Sequence, residues 1–350
     1  MKILFFASHC NGLGHLNRLT CIAREIKKID SRHKILFLTA PGCDTFLKEF
    51  QYEEIPLSEI TLTENGYFAD LDVQVSSHVI ADYKPDVIVF DTHFPLAVLK
   101  RAGMKKIKTA VVLRKTKKDY FNKIAKLKAD LFILPHERRD FKGYDIPKKA
   151  VFVGPIVREV DGTKIKDVVK RYGIKKEDFV VTFTCGSGGG RESRGFIYAT
   201  TRVYKQLRKK IGNLRFIILA GNRFQEKVDI EGITVKQFEP EAINLLRASD
   251  LVVAIASYNT CNEIMFVKTP SIIIPAKRVN EEQGERAKNM EKIGISVVLN
   301  EIDEKKIADS ILEYYYSHDM KKRMKESFLK VKMRIGNRAA AKRILGLKLG

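Results

Sequence analysis

Short apolar runs alternate with segments whose apolar residues recur at helical spacing, and this alternation restricts the chain to few folds. Residues 2–8 (KILFFAS) form a continuous apolar run, after which Leu16, Leu19, Ile22 and Ile26 recur at helical spacing. Further apolar runs of strand length follow as HKILFLTA, DVIVFDTH, TAVVLR and LFILP. Continuous apolar strands are typical of sheets covered on both faces, so this half predicts a doubly wound parallel α/β sheet.

The same pattern begins again in the second half of the chain. Residues 178–190 (DFVVTFTCGSGGG) form a strand that runs into a glycine-rich loop, and RFIILAG, ITVKQF, LVVAIAS and SIIIPA follow as further apolar strands. Gly-Pro in VFVGPIVREV (151–160) separates the two halves. We therefore predict Rossmann-like domains at residues 1–155 and 156–320, followed by a helical tail at 321–350.

Composition is that of an ordinary globular protein, with 45% hydrophobic and 30% charged residues in 350. No apolar run approaches the roughly 20 residues that span a bilayer, and the N-terminus lacks the features of a signal peptide. We therefore expect a cytoplasmic protein. The five cysteines show no CxxC spacing, which argues against a disulfide framework or a cysteine metal site.

The formal net charge of +22 indicates an anionic partner or a composition adapted to heat. Positive charge is concentrated in residues 104–128 and 321–334. Neither segment carries a nucleic-acid module or regularly interleaved aromatic residues. A basic nucleic-acid-binding protein is thus the alternative from another functional class, and we regard nucleic acid as the less favoured partner.

The first glycine loop does not match a dinucleotide site. Gly12 and Gly14 follow the first strand, but Asn17 occupies the position of the third glycine in that fingerprint. The second strand ends in Leu38-Thr39-Ala40, without the carboxylate that holds a ribose. We therefore do not expect a redox cofactor on this domain, and His15 in the loop requires another explanation.

The second glycine loop, GSGGG at 186–190, is better suited to an anion, although a flexible turn is the alternative. Its backbone amides can approach a phosphate closely, and the following helix directs its positive end there. No Gly-Lys-Ser/Thr sequence follows, so the loop is not of the Walker type.

Residues 256–290 complete the pattern of a nucleotide-sugar pocket. Ser257, Asn259 and Thr260 begin a helix after a buried strand, and Glu263 lies on about the same helix face as Thr260. A carboxylate at this position can accept hydrogen bonds from both hydroxyls of a ribose. Gln283, after the next strand, can bind sugar hydroxyls through either end of its amide. Each residue alone also fits a helix cap or a surface position.

Taken together, the GLGH loop, VGPIVRE, CGSGGG, SDLVVAIASYNTCNE and EEQGERAKNM resemble glycosyltransferases of the GT-B fold, and among them family 28. The resemblance covers essentially the whole chain. It implies two Rossmann-like domains facing a central cleft, with a C-terminal helix that packs back on the N-terminal domain. It further implies an inverting, metal-independent transfer of a GlcNAc-type hexose from a UDP-sugar to an acceptor hydroxyl, in cell-envelope glycan synthesis.

The resemblance assigns donor contacts residue by residue. Glu263 falls on the family's ribose-binding glutamate, Gln283 on the contact to the hexose, and the backbone after Phe238 on the segment that reads uracil. Arg158 is expected to reach the phosphates. The other residues assigned to the donor site are Gly186, Ser187, Gly188, Gly189, Ser257, Asn259 and Thr260. Ser257 and Cys185 stand where the family usually has glycine, and both departures fall where the phosphates of the donor are expected to bind.

The resemblance also assigns His15 as the general base for the acceptor or as a ligand of the acceptor, with Gly12, Gly14 and Arg18 in the acceptor loop. An imidazole titrates near pH 6.5 and is suited to this role. Asp91 resembles the aspartate that orients this histidine in the plant natural-product branch, and His93 is an alternative at the same strand end. No cofactor or metal is implied. Asp70-Leu71-Asp72 spells a DxD metal motif, but it lies in the acceptor domain, so we discount it.

Two further expectations follow from these motifs. GxGHxxR, with His15 and Arg18, is equally similar to the nucleotide-sugar hydrolase of pseudaminic acid synthesis, which uses water as acceptor; this is the alternative enzyme. If the acceptor is lipid-linked, basic residues within 104–128 are expected to bind anionic headgroups at the inner face of the membrane.

Overall fold

The computed structural model describes residues 1–7, 13–39, 47, 53–56, 70–92, 96–186, 191–276 and 282–347, with the backbone alone at 53–56 and 70–76. The chain divides into two compact units. The first comprises Met1–Val157 together with Arg334–Gly350, and the second comprises Arg158–Met333. The first division thus falls at 157/158 rather than 155/156, and the segment expected to be a separate tail is shared between the two units.

Among the described residues, the first unit contains a sheet of seven parallel strands in the order β3-β2-β1-β4-β5-β6-β7. The strands are β1 (Lys2–Ala7), β2 (Lys34–Thr39), β3 (Glu53–Pro56), β4 (Val87–Asp91), β5 (Lys108–Val112), β6 (Leu131–Leu134) and β7 (Ala150–Phe152). The helices are α1 (Gly14–Ile29), α2 (Asp70–Tyr83), α3 (Leu96–Met104) and α4 (Lys118–Ala125), with a short 3₁₀ turn at Arg138–Phe141.

The second unit repeats this plan with six parallel strands in the order β10-β9-β8-β11-β12-β13. The strands are β8 (Phe179–Thr184), β9 (Leu214–Leu219), β10 (Ile233–Lys236), β11 (Leu251–Ile255), β12 (Ser271–Ile274) and β13 (Ser296–Val298). The helices are α5 (Gly162–Arg171), α6 (Arg191–Leu207), α7 (Ala242–Ala248), α8 (Tyr258–Val267), α9 (Gln283–Ile293), α10 (Glu304–Tyr316) and α11 (His318–Lys330). The predicted pair of Rossmann-like domains is confirmed.

The chain order reverses beside the first strand of each sheet, between β1 and β4 in one unit and between β8 and β11 in the other. In open parallel sheets, ligands bind beyond the carboxyl ends of the strands at such a reversal. Strands β1 and β4 are in parallel register, with Phe6 opposite Phe90. The carboxyl ends of these two strands therefore lie side by side.

A final helix, α12 (Asn337–Leu345), packs against α1, which confirms the expected return of a C-terminal helix to the first unit. Asn337 fixes this return, because its Nδ2 donates to the carbonyl of Val157 at 2.7 Å and its Oδ1 accepts from the Val157 amide at 3.1 Å. The backbones are in close contact here. A Cβ added at Gly336 would lie 2.5 Å from the carbonyl oxygen of Gly154.

Within the described part of the chain, no helix combines the length and the apolar character needed to cross a membrane.

Candidate active site

The candidate catalytic residues meet at the carboxyl edge of the first sheet. Asp91 is the last residue of β4, and His15 lies in the first turn of α1, the helix that follows β1. Because β1 and β4 are neighbours, the start of α1 and the end of β4 lie at the same edge of the sheet. Gly14 begins α1, whereas Gly12 and His93 lie outside the described residues.

His15, Asp91 and Arg18 form one hydrogen-bonded cluster. His15 Nδ1 lies 2.6 Å from Asp91 Oδ1. Arg18 donates from Nη2 to Oδ1 at 2.6 Å and from Nε to Oδ2 at 2.9 Å. Positions three apart on a helix share a face, so α1 presents both side chains to the same carboxylate. The Asp91 side chain is fully buried, and those of Arg18 and His15 are only 3% and 15% exposed.

The short contact to Asp91 assigns the tautomer of His15. An ionised carboxylate can only accept hydrogen bonds, so Nδ1 must carry the proton that lies between them. Arg18 Nη2 is also 3.3 Å from Nδ1, but a guanidinium only donates and cannot bond to a nitrogen that already carries hydrogen. The basic nitrogen of His15 is therefore Nε2.

The surroundings keep His15 neutral at neutral pH. Burial lowers the pKa of His15 below its ordinary value of 6.5, and the positive charges of Arg18 and Arg114 lower it further, although Asp91 opposes them. For Asp91, burial raises the pKa, but Arg18 and His15 outweigh it and hold the pKa well below its usual range. A neutral imidazole beside an ionised carboxylate is the resting state of a general base.

The backbone after Asp91 is strained. Thr92 is buried and has φ of +44°, a left-handed conformation that a β-branched residue adopts only when its surroundings hold it there. Its amide donates to the carbonyl of Val112 at 2.8 Å, and its Oγ1 accepts from the amide of Arg114 at 3.4 Å. The turn that carries Asp91 is thus tied to the end of β5.

In the second unit, Glu263 is held by Arg158. Arg158 Nε donates to Oε1 at 2.7 Å and Nη2 donates to Oε2 at 2.8 Å. The side chains are 12% and 6% exposed, respectively. The family resemblance led us to expect Arg158 near the phosphates, and this ion pair was not predicted.

Ser257 caps the helix that carries Glu263. Its Oγ accepts from the amide of Thr260 at 3.3 Å and donates to Thr260 Oγ1 at 2.8 Å, while Asn259 lies in the same first turn of α8. Arg286 of α9 donates to the carbonyl of Ala256 and lies over the ring of Tyr258, 5.7 Å from its centroid. Arg286 was not predicted from the sequence. It lies three residues after Gln283 on the same helix, and this spacing could have indicated that both residues share a face.

The remaining donor-site candidates are Gln283, Phe238 and the glycine-rich loop. Gln283 is buried, and its Oε1 accepts from the amide of Ala276 at 2.9 Å, so this oxygen joins the end of β12 to α9. Phe238 is half-buried beside Glu239, whose carboxylate accepts from the hydroxyl of Tyr172 at 2.6 Å. Gly186 lies two residues after the end of β8 and has φ of +83°. The other three loop residues lie outside the described chain: Ser187, Gly188 and Gly189.

The described residues include no group of three or more His, Cys, Asp or Glu side chains that could hold a metal ion. Asp70 and Asp72 of the DxD sequence lie in the first turn of α2, in the first unit. Their backbone alone is described.

Known proteins resemble this chain in sequence and in fold. Residues 180–340 match the model of the glycosyltransferase family 28 C-terminal domain. An enzyme from Acetivibrio thermocellus, UDP-N-acetylglucosamine–N-acetylmuramyl-(pentapeptide) pyrophosphoryl-undecaprenol N-acetylglucosamine transferase, is 28% identical over 318 residues, which cover 82% of each chain. The Listeria welshimeri enzyme of the same name is 24% identical, covering 83% of this chain and 84% of its own.

Among solved structures, the spinosyn forosaminyltransferase SpnP superposes with a TM-score of 0.71, at 12% identity, over 99% of both chains. At this identity the likeness establishes the fold alone.

Proposed function

We propose a reaction for this chain, which is a glycosyltransferase of the GT-B fold and carries a family 28 C-terminal domain. It transfers a hexose of the GlcNAc type from a UDP-sugar to the hydroxyl of a lipid-linked acceptor. The names of the two bacterial relatives support this donor and acceptor. The observation that carries the chemistry is the neutral His15, oriented through Nδ1 by the buried Asp91.

The proposed mechanism is a single displacement. His15 Nε2 takes the proton from the acceptor hydroxyl, whose oxygen forms the new bond to the anomeric carbon as the bond to the UDP oxygen breaks. The imidazolium that forms is stabilised by the carboxylate of Asp91. One displacement inverts the configuration at the anomeric carbon.

The donor is proposed to bind in the second unit without a metal ion. Glu263 accepts hydrogen bonds from the ribose hydroxyls, and the N-terminal turn of α8 stabilises the diphosphate that leaves. The guanidinium of Arg286 adds positive charge at this turn, because it is held at the carbonyl of Ala256. Gly186, Phe238 and Gln283 remain proposed donor contacts.

A membrane-facing surface is proposed for the basic segment at 104–128. Met104 is 84% exposed, and the neighbouring Lys105 and Lys106 are exposed as well. An exposed apolar side chain among cations suits a surface of anionic headgroups at the inner face of the membrane. Co-sedimentation with anionic vesicles at low salt tests this proposal, and the variant with Lys105→Glu and Lys106→Glu is expected to remain in the supernatant.

The reaction is tested by measuring release of the nucleoside diphosphate from a panel of nucleotide sugars, with and without lipid extract. We expect release from a UDP-sugar that requires the extract and that is lost in His15→Ala. His33→Ala is the matched control, since His33 lies away from the cluster and pairs with the N-terminal amine. Rapid release in buffer alone would instead favour the hydrolase.

The matched family model and the two relatives belong to glycosyltransferases, so they give no support to the hydrolase or to the nucleic-acid-binding alternative. Absence of release under both conditions would contradict the proposed function.

A further inference from the structure

The ion pair between Arg158 and Glu263 has a specific geometry. Two guanidinium nitrogens face two carboxylate oxygens, at 2.7 and 2.8 Å, in a parallel fork. Arg158 lies at the start of the second unit and Glu263 in α8, 105 positions later. Both side chains are largely buried. Such a planar, two-point contact fixes the orientation of a carboxylate as well as its position.

The fork leaves part of the carboxylate available for a ligand. An ionised carboxylate offers about four acceptor positions on its two oxygens. Arg158 occupies one position on each oxygen. The remaining position on each oxygen suits one hydroxyl of a vicinal diol, so the pair and a ribose do not compete for the same lone pairs.

We propose that Arg158 is a positioning residue that orients Glu263 toward the 2′- and 3′-hydroxyls of the donor ribose, and thereby sets a preference for ribonucleotides over 2′-deoxyribonucleotides. This inference rests on the donor assigned above. It differs from the expectation that Arg158 binds the phosphates. In that case loss of its side chain would weaken diphosphate binding and leave the ribose preference unchanged.

Two binding ratios separate these roles. The ribose ratio compares the dissociation constants of UDP and 2′-deoxy-UDP, and the phosphate ratio compares those of UDP and uridine. Both are measured on the full chain by isothermal titration calorimetry. A hydrogen bond to a charged group is strong, so we expect the unsubstituted protein to prefer UDP over 2′-deoxy-UDP by about tenfold to a hundredfold.

Arg158→Gln is expected to reduce the ribose ratio to about twofold and to keep the phosphate ratio. Arg158→Lys is expected to be intermediate, because an ammonium makes one-point contacts and leaves the carboxylate free to rotate. Arg215→Gln is the matched control. Arg215 pairs with Asp178 at 2.8 Å in the same unit, so its loss is expected to leave both ratios unchanged.

The double variant with Arg158→Gln and Glu263→Gln keeps the inference testable if Arg158→Gln alone does not fold, because it removes the buried unpaired carboxylate. The positioning role predicts that its ribose ratio matches that of Glu263→Gln alone.

A ribose ratio that Arg158→Gln leaves intact, with or without a fall in the phosphate ratio, overturns the inference and leaves the proposed donor standing. Failure of the unsubstituted protein to bind UDP, or to prefer it over 2′-deoxy-UDP, overturns the proposed donor and the inference together.

Discussion

Replacement of Asp91 by asparagine tests the catalytic cluster most directly. The side chains have nearly the same shape, but asparagine has no charge and offers one oxygen where Asp91 offers two. In the structure both oxygens accept hydrogen bonds, from His15 and from the fork of Arg18. Asp91→Asn therefore turns an NH₂ group toward one of these donors, and it leaves Arg18 without its counter-charge.

The expected magnitudes follow from burial. Arg18 is 3% exposed, and removal of one partner from a buried ion pair typically costs about 3–5 kcal/mol. We expect the free energy of unfolding to fall by that amount. The activity falls separately, because Nδ1 of His15 loses the acceptor that fixes its tautomer. The corresponding change in Ser-His-Asp hydrolases lowers kcat by about 10⁴-fold, and we expect a loss of that order here.

Urea unfolding and diphosphate release, measured on the same preparations, separate the two effects. A double variant with Arg18→Met and Asp91→Asn removes the unpaired cation and is expected to recover most of the stability and none of the activity. The reasoning is refuted if Asp91→Asn unfolds within about 1 kcal/mol of the unsubstituted protein. It is equally refuted if Asp91→Asn remains active under conditions in which His15→Ala is inactive.

Three further outcomes are expected. A general base must be unprotonated, and the pKa of His15 is lowered, so kcat/KM should be constant at neutral pH and should decline only as the pH falls through a value below 6.5. A decline of kcat/KM that begins above pH 6.5 would contradict the assignment. Gly336→Ala should lower the free energy of unfolding by about 1–3 kcal/mol in urea, because its Cβ would meet the backbone of Gly154, whereas Gly212→Ala, with open space around its Cβ, should not. Asp161→Ala should cost about 1 kcal/mol in the same assay, since Asp161 caps α5, and an unchanged midpoint would show that the cap is dispensable.

The central strands were predictable because they are buried on both faces and read as continuous apolar runs. All five residues of β4 are buried, as are those of β11. The edge strands β3 and β13 were missed, although the edge strand β10 was predicted from ITVKQF. Strand β3 (Glu53–Pro56) contains two glutamates and a proline, and β13 spans only Ser296–Val298. An edge strand has one neighbour, so it requires neither a long apolar run nor a complete set of amides.

The meeting of His15 with Asp91 was predictable from general rules, because the order of parallel strands brings the ends of β1 and β4 together. The ion pair of Arg158 with Glu263 was not, since no local pattern relates two residues 105 positions apart. The second hydrogen-bonding partner of Asp91 was missed for a different reason. Whether Arg18 points outward from the acceptor loop or inward to the carboxylate depends on the rotation of α1 about its axis, which spacing alone does not determine.

The return of α12 to the first unit has a consequence for biosynthesis. The second unit is contiguous in sequence, so all its described strands and helices have been translated once residue 333 has left the ribosome. The first unit is translated first and completed last. Helix α1 packs against residues 337–345, and Val157 bonds to Asn337, which lies 180 positions after it in the chain. At about 5–20 residues per second, the surface of α1 that α12 covers therefore stays open to solvent for roughly ten seconds or more after Val157 is made. That interval is when a nascent chain would depend most on a chaperone.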